Sequence, residues 1–309
     1  MRETEWRWGD TLMVADVFVL LYGWFFQPFV DYGFMRRALV ACLAIGFACG
    51  PIGTILVLRR MSLAGDAIAH AVLPGAAVGF IFFGLSLPAM SIGSFIAAAL
   101  MALLAAAVTR WTAQKEDASF ASFYLITLAL GVMLIATSGS KVDLLHFLFG
   151  SVLAIDGPSL LLITGASSLT VLGLAIIWRP LIVECFDPIF LRSVGGRGAL
   201  VHQLFMMMVV LTLVSAFQAL GTLMAVGLLM LPATAARFWC AGVVARASLA
   251  AGLGAFSGAA GLLISYHASV PSGPAIVLCA GALYLLSLCF GMRDSLRTIW
   301  FPTSQHKEA

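Results

Sequence analysis

ALVACLAIGFACGPIGTILVL, residues 38 to 58, is uncharged from end to end and lies between the pairs Arg36-Arg37 and Arg59-Arg60. A helix needs about 20 apolar residues to cross the hydrocarbon of a bilayer, so this stretch reads as a spanning helix. Eight further runs meet the same requirement, near residues 67 to 87, 89 to 109, 121 to 138, 159 to 178, 201 to 218, 219 to 237, 249 to 266 and 274 to 291. The expectation is an all-α, polytopic transmembrane bundle of about nine spanning helices, with eight and ten as the bounds. A further stretch, 11 to 30, is apolar but contains Asp16, Trp24, Gln27 and Pro28. We read it as an interfacial or optional helix, which makes residues 1 to 37 an N-terminal segment, 38 to 291 the membrane domain and 292 to 309 a C-terminal tail.

Composition excludes a soluble fold. The chain is 62% hydrophobic and 10% charged, against roughly 45 to 50% apolar and about 25% charged in soluble domains. A net charge of +3, dispersed along the chain, does not suit a nucleic-acid partner. Six cysteines without a CxxC spacing imply neither a disulfide framework nor a thiolate metal site. The N-terminus, MRETEWRWGD, lacks the pattern of a cleaved signal peptide.

The basic residues orient the bundle. If the chain enters the first run from outside, and the unplaced N-terminus with Arg2 and Arg7 is left aside, twelve lysines and arginines fall on the cytoplasmic side and three, Arg36, Arg37 and Lys141, on the other. That bias matches the positive-inside rule and supports an odd number of core helices with a cytoplasmic C-terminus. Pro74 and Gly75 in the second run, Pro232 in the seventh and Gly50, Pro51 and Gly53 in the first are expected to break their helices, a simple kink being the ordinary alternative at each. The small-residue run AGLGAFSGAAG, 251 to 261, fits either a subunit interface or close packing within one chain.

Ionisable side chains at membrane depth are costly and ask for an explanation. Asp66 and His70, four apart on one helix face, form one pair. Asp143 and His146, three apart, form a second on the non-cytoplasmic side, and His267 lies at the outer end of the eighth run. Carboxylate and imidazole are ligands for divalent zinc, manganese and iron. The ordinary reading of each lone histidine is a hydrogen-bonded residue between helices. Residues 183 to 203, VECFDPIFLRSVGGRGALVHQ, mix acidic, basic and aromatic positions and read as a docking helix for a soluble partner, with an interfacial helix as the alternative. The chain has no GxxxxGK[ST] loop, HExxH helix or GxSxG elbow, so neither ATP hydrolysis by that route nor an intramembrane hydrolase is supported.

The block RRMSLAGDAIAHAVLPG, residues 59 to 75, resembles the signature of the permease subunits of bacterial zinc and manganese ABC importers. VDLLHFLFGSVLAID (142 to 156), FDPIFLRSVG (186 to 195), FQALGTLMAVGLLMLPATAARF (217 to 238) and SYHASVPSGPAIVL (265 to 278) resemble further blocks of that family in the same order. The resemblance implies a homodimer in the inner membrane, two copies of a separate cytoplasmic ATPase and a periplasmic metal-binding protein. It also implies an ATPase-coupling loop containing Glu184, Phe186, Asp187, Pro188, Arg192 and Gly195, with Asp66, His70, Asp143, His146 and His267 along the metal path. The chain departs from the family at Ser269, two residues before Pro271, where many relatives carry an acidic or amide residue. On this reading Zn2+, with Mn2+ second, is a transported substrate rather than a resident cofactor. The alternatives are an ATP-independent secondary transporter and an intramembrane enzyme built on the Asp/His pairs.

Overall fold

The computed structural model describes residues 22–84, 86–137, 152–193 and 195–300. Its helices, in chain order, are α1 (Gln27–Asp31), α2 (Gly33–Leu58), α3 (Ser62–Phe83), α4 (Leu87–Trp111), α5 (Glu116–Thr137), α6 (Gly157–Phe186), α7 (Pro188–Ser193), α8 (Gly198–Leu220), α9 (Thr222–Arg237), α10 (Val243–Ala268), α11 (Ser272–Phe290) and α12 (Leu296–Trp300), with a 3-10 turn at Val152–Ala154. No strand occurs among the described residues. Eight of these helices are long and apolar enough to cross a membrane, and α9 is a shorter apolar one. Each of the nine apolar runs therefore becomes a helix, and the chain is an all-α, multi-pass membrane protein.

In α2 and α8, 67% of the most apolar window is buried inside the bundle, against 17% in α5. The first two are central and the third lies at the periphery. The close approach of α2 to its neighbours follows from its glycines. A Cβ on Gly50 would stand 2.3 Å from the backbone nitrogen of Ala251, and one on Gly46 2.7 Å from that of Ala255. On the other side, a Cβ on Gly53 would meet the carbonyl oxygen of Leu229 in α9 at 2.0 Å. Small residues let membrane helices pack backbone to backbone, and the run 251 to 261 does so within one chain: it lies on α2 and, through Gly261, on Ile276 of α11.

The prolines correct one expectation. Pro51, Pro74 and Pro232 all sit inside helices that continue through them, so neither Pro74-Gly75 nor Pro232 breaks its helix. A helical proline forfeits one backbone hydrogen bond and crowds one carbonyl, a loss that surrounding packing tolerates. Pro74 lies against Gly131 of α5, where a Cβ would stand 3.1 Å from the proline Cδ, and Gly75 abuts the Gly93 carbonyl of α4. The sharp join is elsewhere, between α8 and α9, made by the single residue Gly221 at φ 78. In this left-handed region glycine carries no Cβ penalty.

Helix α6 also runs further than its apolar core, from Gly157 through Pro180 to Phe186. Glu184 and Phe186 thus stand on its last turn, and the connecting segment proper begins at Asp187. At the opposite end, Asp156 caps α6 by accepting a hydrogen bond from the Ser159 backbone N–H at 3.0 Å. Those bonds to Ser159, helped by the charge of Arg37, hold the Asp156 carboxyl below the usual carboxylate range.

Candidate functional site

Asp66 and His70 are four residues apart on α3, so their side chains project from one face one turn apart. His70 Nε2 lies 3.6 Å from Asp66 Oδ1, with side-chain exposures of 18% and 46%. That distance is ion-pair range and too long for a hydrogen bond. His70 Nδ1 is buried and has no hydrogen-bond partner among the described residues. The imidazole is instead held by shape: its ring meets Tyr124 of α5 edge-on, 5.0 Å between centroids. Among the described residues His70 Nδ1 thus lacks the hydrogen bond that the ordinary reading expects and that a buried polar nitrogen normally has. Pro74, four residues on, also removes the N–H that would serve the His70 carbonyl.

The other candidates lie apart from this pair. His267, at the end of α10, is exposed; its ring stacks on Trp24 at 4.3 Å and its Nε2 lies 3.0 Å from the Trp24 carbonyl oxygen. Ser269 caps α10 in the left-handed region at φ 53. Asparagine and aspartate are favoured in that region by the backbone alone. Asp143 and His146 fall outside the described residues. Among the described residues no three histidine, cysteine, aspartate or glutamate side chains gather into a group able to hold a metal ion. Asp66 and His70 thus stand as a pair and not as part of a larger group among the described residues.

The segment after α6 forms a short helix for local reasons. Asp187 accepts a hydrogen bond from the Phe190 backbone N–H at 2.8 Å and Pro188 occupies the first helical position of α7, an N-cap and a proline placed where both are favoured. Gly195, at φ 78, reverses the chain, and the Gly196 N–H closes on the Leu191 carbonyl at 2.8 Å. Phe186, Ile189 and Phe190 around this helix are 65%, 78% and 55% exposed. Three large apolar side chains beside a capped turn make an unpartnered knob.

Sequence reasoning missed what stands next to that knob. Arg59, just past the end of α2, makes an ion pair with Glu184 at 3.0 Å, donates from Nε to Cys185 Sγ at 3.1 Å and meets His202 Nδ1 of α8. It also lies over the Phe205 ring, 5.6 Å from its centroid. His202 Nε2 in turn lies 3.9 Å from Glu116 Oε1 at the start of α5. Burial works to lower the guanidinium's pKa, but the Cys185 hydrogen bond and the Cys185 and Glu184 charges outweigh it and raise it above its usual value. The cluster opens on a cavity of about 790 Å³ that Arg60 and Gln114 also line. One signal was legible: His202 sits at the mouth of an apolar run, where a polar group asks for a partner.

A multi-pass helical bundle with a polar pair on one helix and a capped, exposed turn between two others has the architecture of a membrane transport component. The chain belongs to the ABC 3 transport family, whose model matches residues 31–291. It is 34% identical over 267 residues, 85% of this chain and 92% of the relative, to the manganese import system permease protein ScaB of Streptococcus parasanguinis. It is 33% identical over 285 residues, 92% of this chain and 96% of the relative, to the manganese transport system membrane protein MntC of Halalkalibacterium halodurans. Among solved structures it resembles PsaBC from Streptococcus pneumoniae in complex with Fab, at a TM-score of 0.78 and 30% identity, covering 89% of this chain and 98% of the other. By this membership it is a permease subunit and not an enzyme.

Proposed function

We propose that the chain is the permease of an ATP-driven importer of divalent metal. It works as a pair of copies in the bacterial cytoplasmic (inner) membrane, with the C-terminus and α7 on the cytoplasmic side. A separate ATPase dimer docks there, and an extracytoplasmic metal-binding protein delivers the ion to the opposite face. The observation that carries this reading is His70, a half-buried imidazole whose buried Nδ1 lacks a hydrogen-bond partner among the described residues and whose Nε2 faces Asp66 across 3.6 Å. A neutral imidazole with a free nitrogen beside a carboxylate is a partial ligand set for a divalent ion. Two ligands hold such an ion weakly enough to let it go, as a transport path requires and a closed tetrahedral site would not.

Manganese moves ahead of zinc as cargo. The sequence put zinc first on its histidines, but the α3 pair sets one carboxylate beside one imidazole, a combination that suits manganese as well as zinc. Both relatives above are named for manganese. Asp143, His146 and His267 keep their proposed place at the outer mouth, and Glu184, Phe186, Asp187, Pro188, Arg192 and Gly195 theirs at the ATPase.

The test is uptake into vesicles reconstituted with the permease, its ATPase and its binding protein. ATP-dependent manganese accumulation that disappears when the ATPase is omitted supports the reading. Accumulation without the ATPase assigns the chain to secondary transport instead, and zinc displacing manganese at equal concentration reverses the choice of cargo.

A further inference from the structure

The Arg59 cluster brackets α7 on both sides. Glu184 and Cys185 lie just before that helix, at the end of α6, and His202 lies after it, in the second turn of α8. All three converge on one guanidinium. On the other side Arg59 is joined by two residues, Arg60 and Met61, to the start of α3. Through His202 the cluster also reaches Glu116, the first residue of α5. Thus the two helices that shape the His70 environment, α3 with Asp66 and α5 with Tyr124, are gathered at one end by the same cluster that holds the flanks of α7.

We infer that Arg59 is the joint that passes movement of α7 to the Asp66–His70 pair, a positioning residue that couples the two rather than a ligand for metal. The inference rests on the importer reading. Its physical basis is the arginine fork: a planar guanidinium presents its N–H donors in fixed directions, so bonds on several sides set the angles between α2, α6 and α8 together. The arginine and Glu184 side chains are only 11% and 13% exposed. Separating them would leave a charge uncompensated in a poorly hydrated site, so the flanks of α7 and the end of α2 move as one body. The turn after the joint is stiff as well, because Arg60 adopts φ 59 and the Met61 N–H closes on the Leu56 carbonyl at 2.9 Å. A displacement at α7 therefore arrives at α3 with little lost in the link.

Lysine keeps the charge and loses the fork, which makes Arg59→Lys the informative change; His202→Phe removes the α8 arm while keeping a ring of similar size. Each variant is assembled with the ATPase and binding protein in vesicles, and manganese taken up per ATP hydrolysed is measured. In both variants ATP hydrolysis should persist while the transported-to-hydrolysed ratio falls about tenfold, within the usual range of coupling between sites. A purely structural role would lower the amount of assembled complex and leave the ratio unchanged. If Arg59→Lys fails to assemble, His202→Phe decides. An unaltered ratio overturns the inference, as do uptake and hydrolysis falling in parallel. The unmodified complex separates the two readings: absence of ATP-driven uptake there overturns the importer reading and this inference with it, whereas equally coupled uptake in wild type and variants overturns this inference alone.

Discussion

The imidazole of His70 meets the ring of Tyr124 edge-on, with centroids 5.0 Å apart, and Pro74 of the same helix rests against Gly131. Helices α3 and α5 thus run side by side in one direction, and a residue of α5 sets how the imidazole of α3 is presented. His70→Ala and Asp66→Ala should each lower the initial rate of manganese uptake about tenfold or more, as loss of a ligand or of its support does at metal sites. Tyr124→Phe, which retains the ring, should stay near wild type, and Tyr124→Ala should fall between. Undiminished uptake in both alanine variants of the pair would remove Asp66 and His70 from the path.

A second expectation concerns packing. A side chain on Gly50 would run into the backbone of Ala251 at 2.3 Å, where nothing flexible can yield, whereas Gly252 of α10 faces open space. Gly50→Ala should destabilise the protein by about 1 to 3 kcal/mol, the usual effect of overpacking. Gly252→Ala should be neutral or slightly stabilising, because alanine is the better helix former by about 1 kcal/mol. Thermal unfolding in detergent of the two variants beside wild type checks the contrast.

The knob at α7 gives a third. Ile189 and Phe190 are 78% and 55% exposed, so replacing them with serine removes little packing within the chain. Ile189→Ser with Phe190→Ser should leave the melting temperature of the isolated permease unchanged and weaken capture of the ATPase, read by co-purification from detergent. Equal capture would move the docking surface elsewhere.

The cap of α6 predicts a pH dependence. The Asp156 carboxyl, bonded by Ser159, is held below its usual pKa, so the folded chain binds that proton more weakly than the unfolded one. Its stabilising contribution is fully present above the unfolded value of about 4 and is lost as pH falls through the lower folded value. The melting-temperature gap between wild type and Asp156→Ala should be constant from neutral pH to about 4 and close below it. Asp156→Asn, which also caps well, should behave like wild type at neutral pH without that dependence.

Most of the fold was legible because a spanning helix is a local property. Twenty apolar residues must bury their backbone polar groups in their own helix wherever they lie in a bilayer, and each of the nine runs did so. The proline breaks were misread for the complementary reason. Whether Pro74 interrupts α3 depends on Gly131 and Gly93 packing against it, and those neighbours are remote in the chain. The run 251 to 261 could not be assigned to an interface or to the interior until its partners Gly46 and Gly50 were known.

At the site the division is similar. Asp66 and His70 could be paired from their spacing, since four residues make a helical turn. That His70 Nδ1 lacks a partner among the described residues required the packed environment. Arg59 shows the limit most clearly, because in the sequence it counts only as one more charge on the cytoplasmic side. Its partners Cys185 and His202 lie 126 and 143 positions away.

By itself, then, the sequence determined that this chain lives in a bilayer, which helices span it and which end of the bundle carries the positive charge, because hydropathy and charge act residue by residue against lipid and water. The tertiary structure alone decided which glycines touch, which histidine nitrogen lacks a partner among the described residues and which arginine ties α2, α6 and α8 together. Those outcomes belong to close contacts between distant segments, and such contacts exist only once the helices have packed.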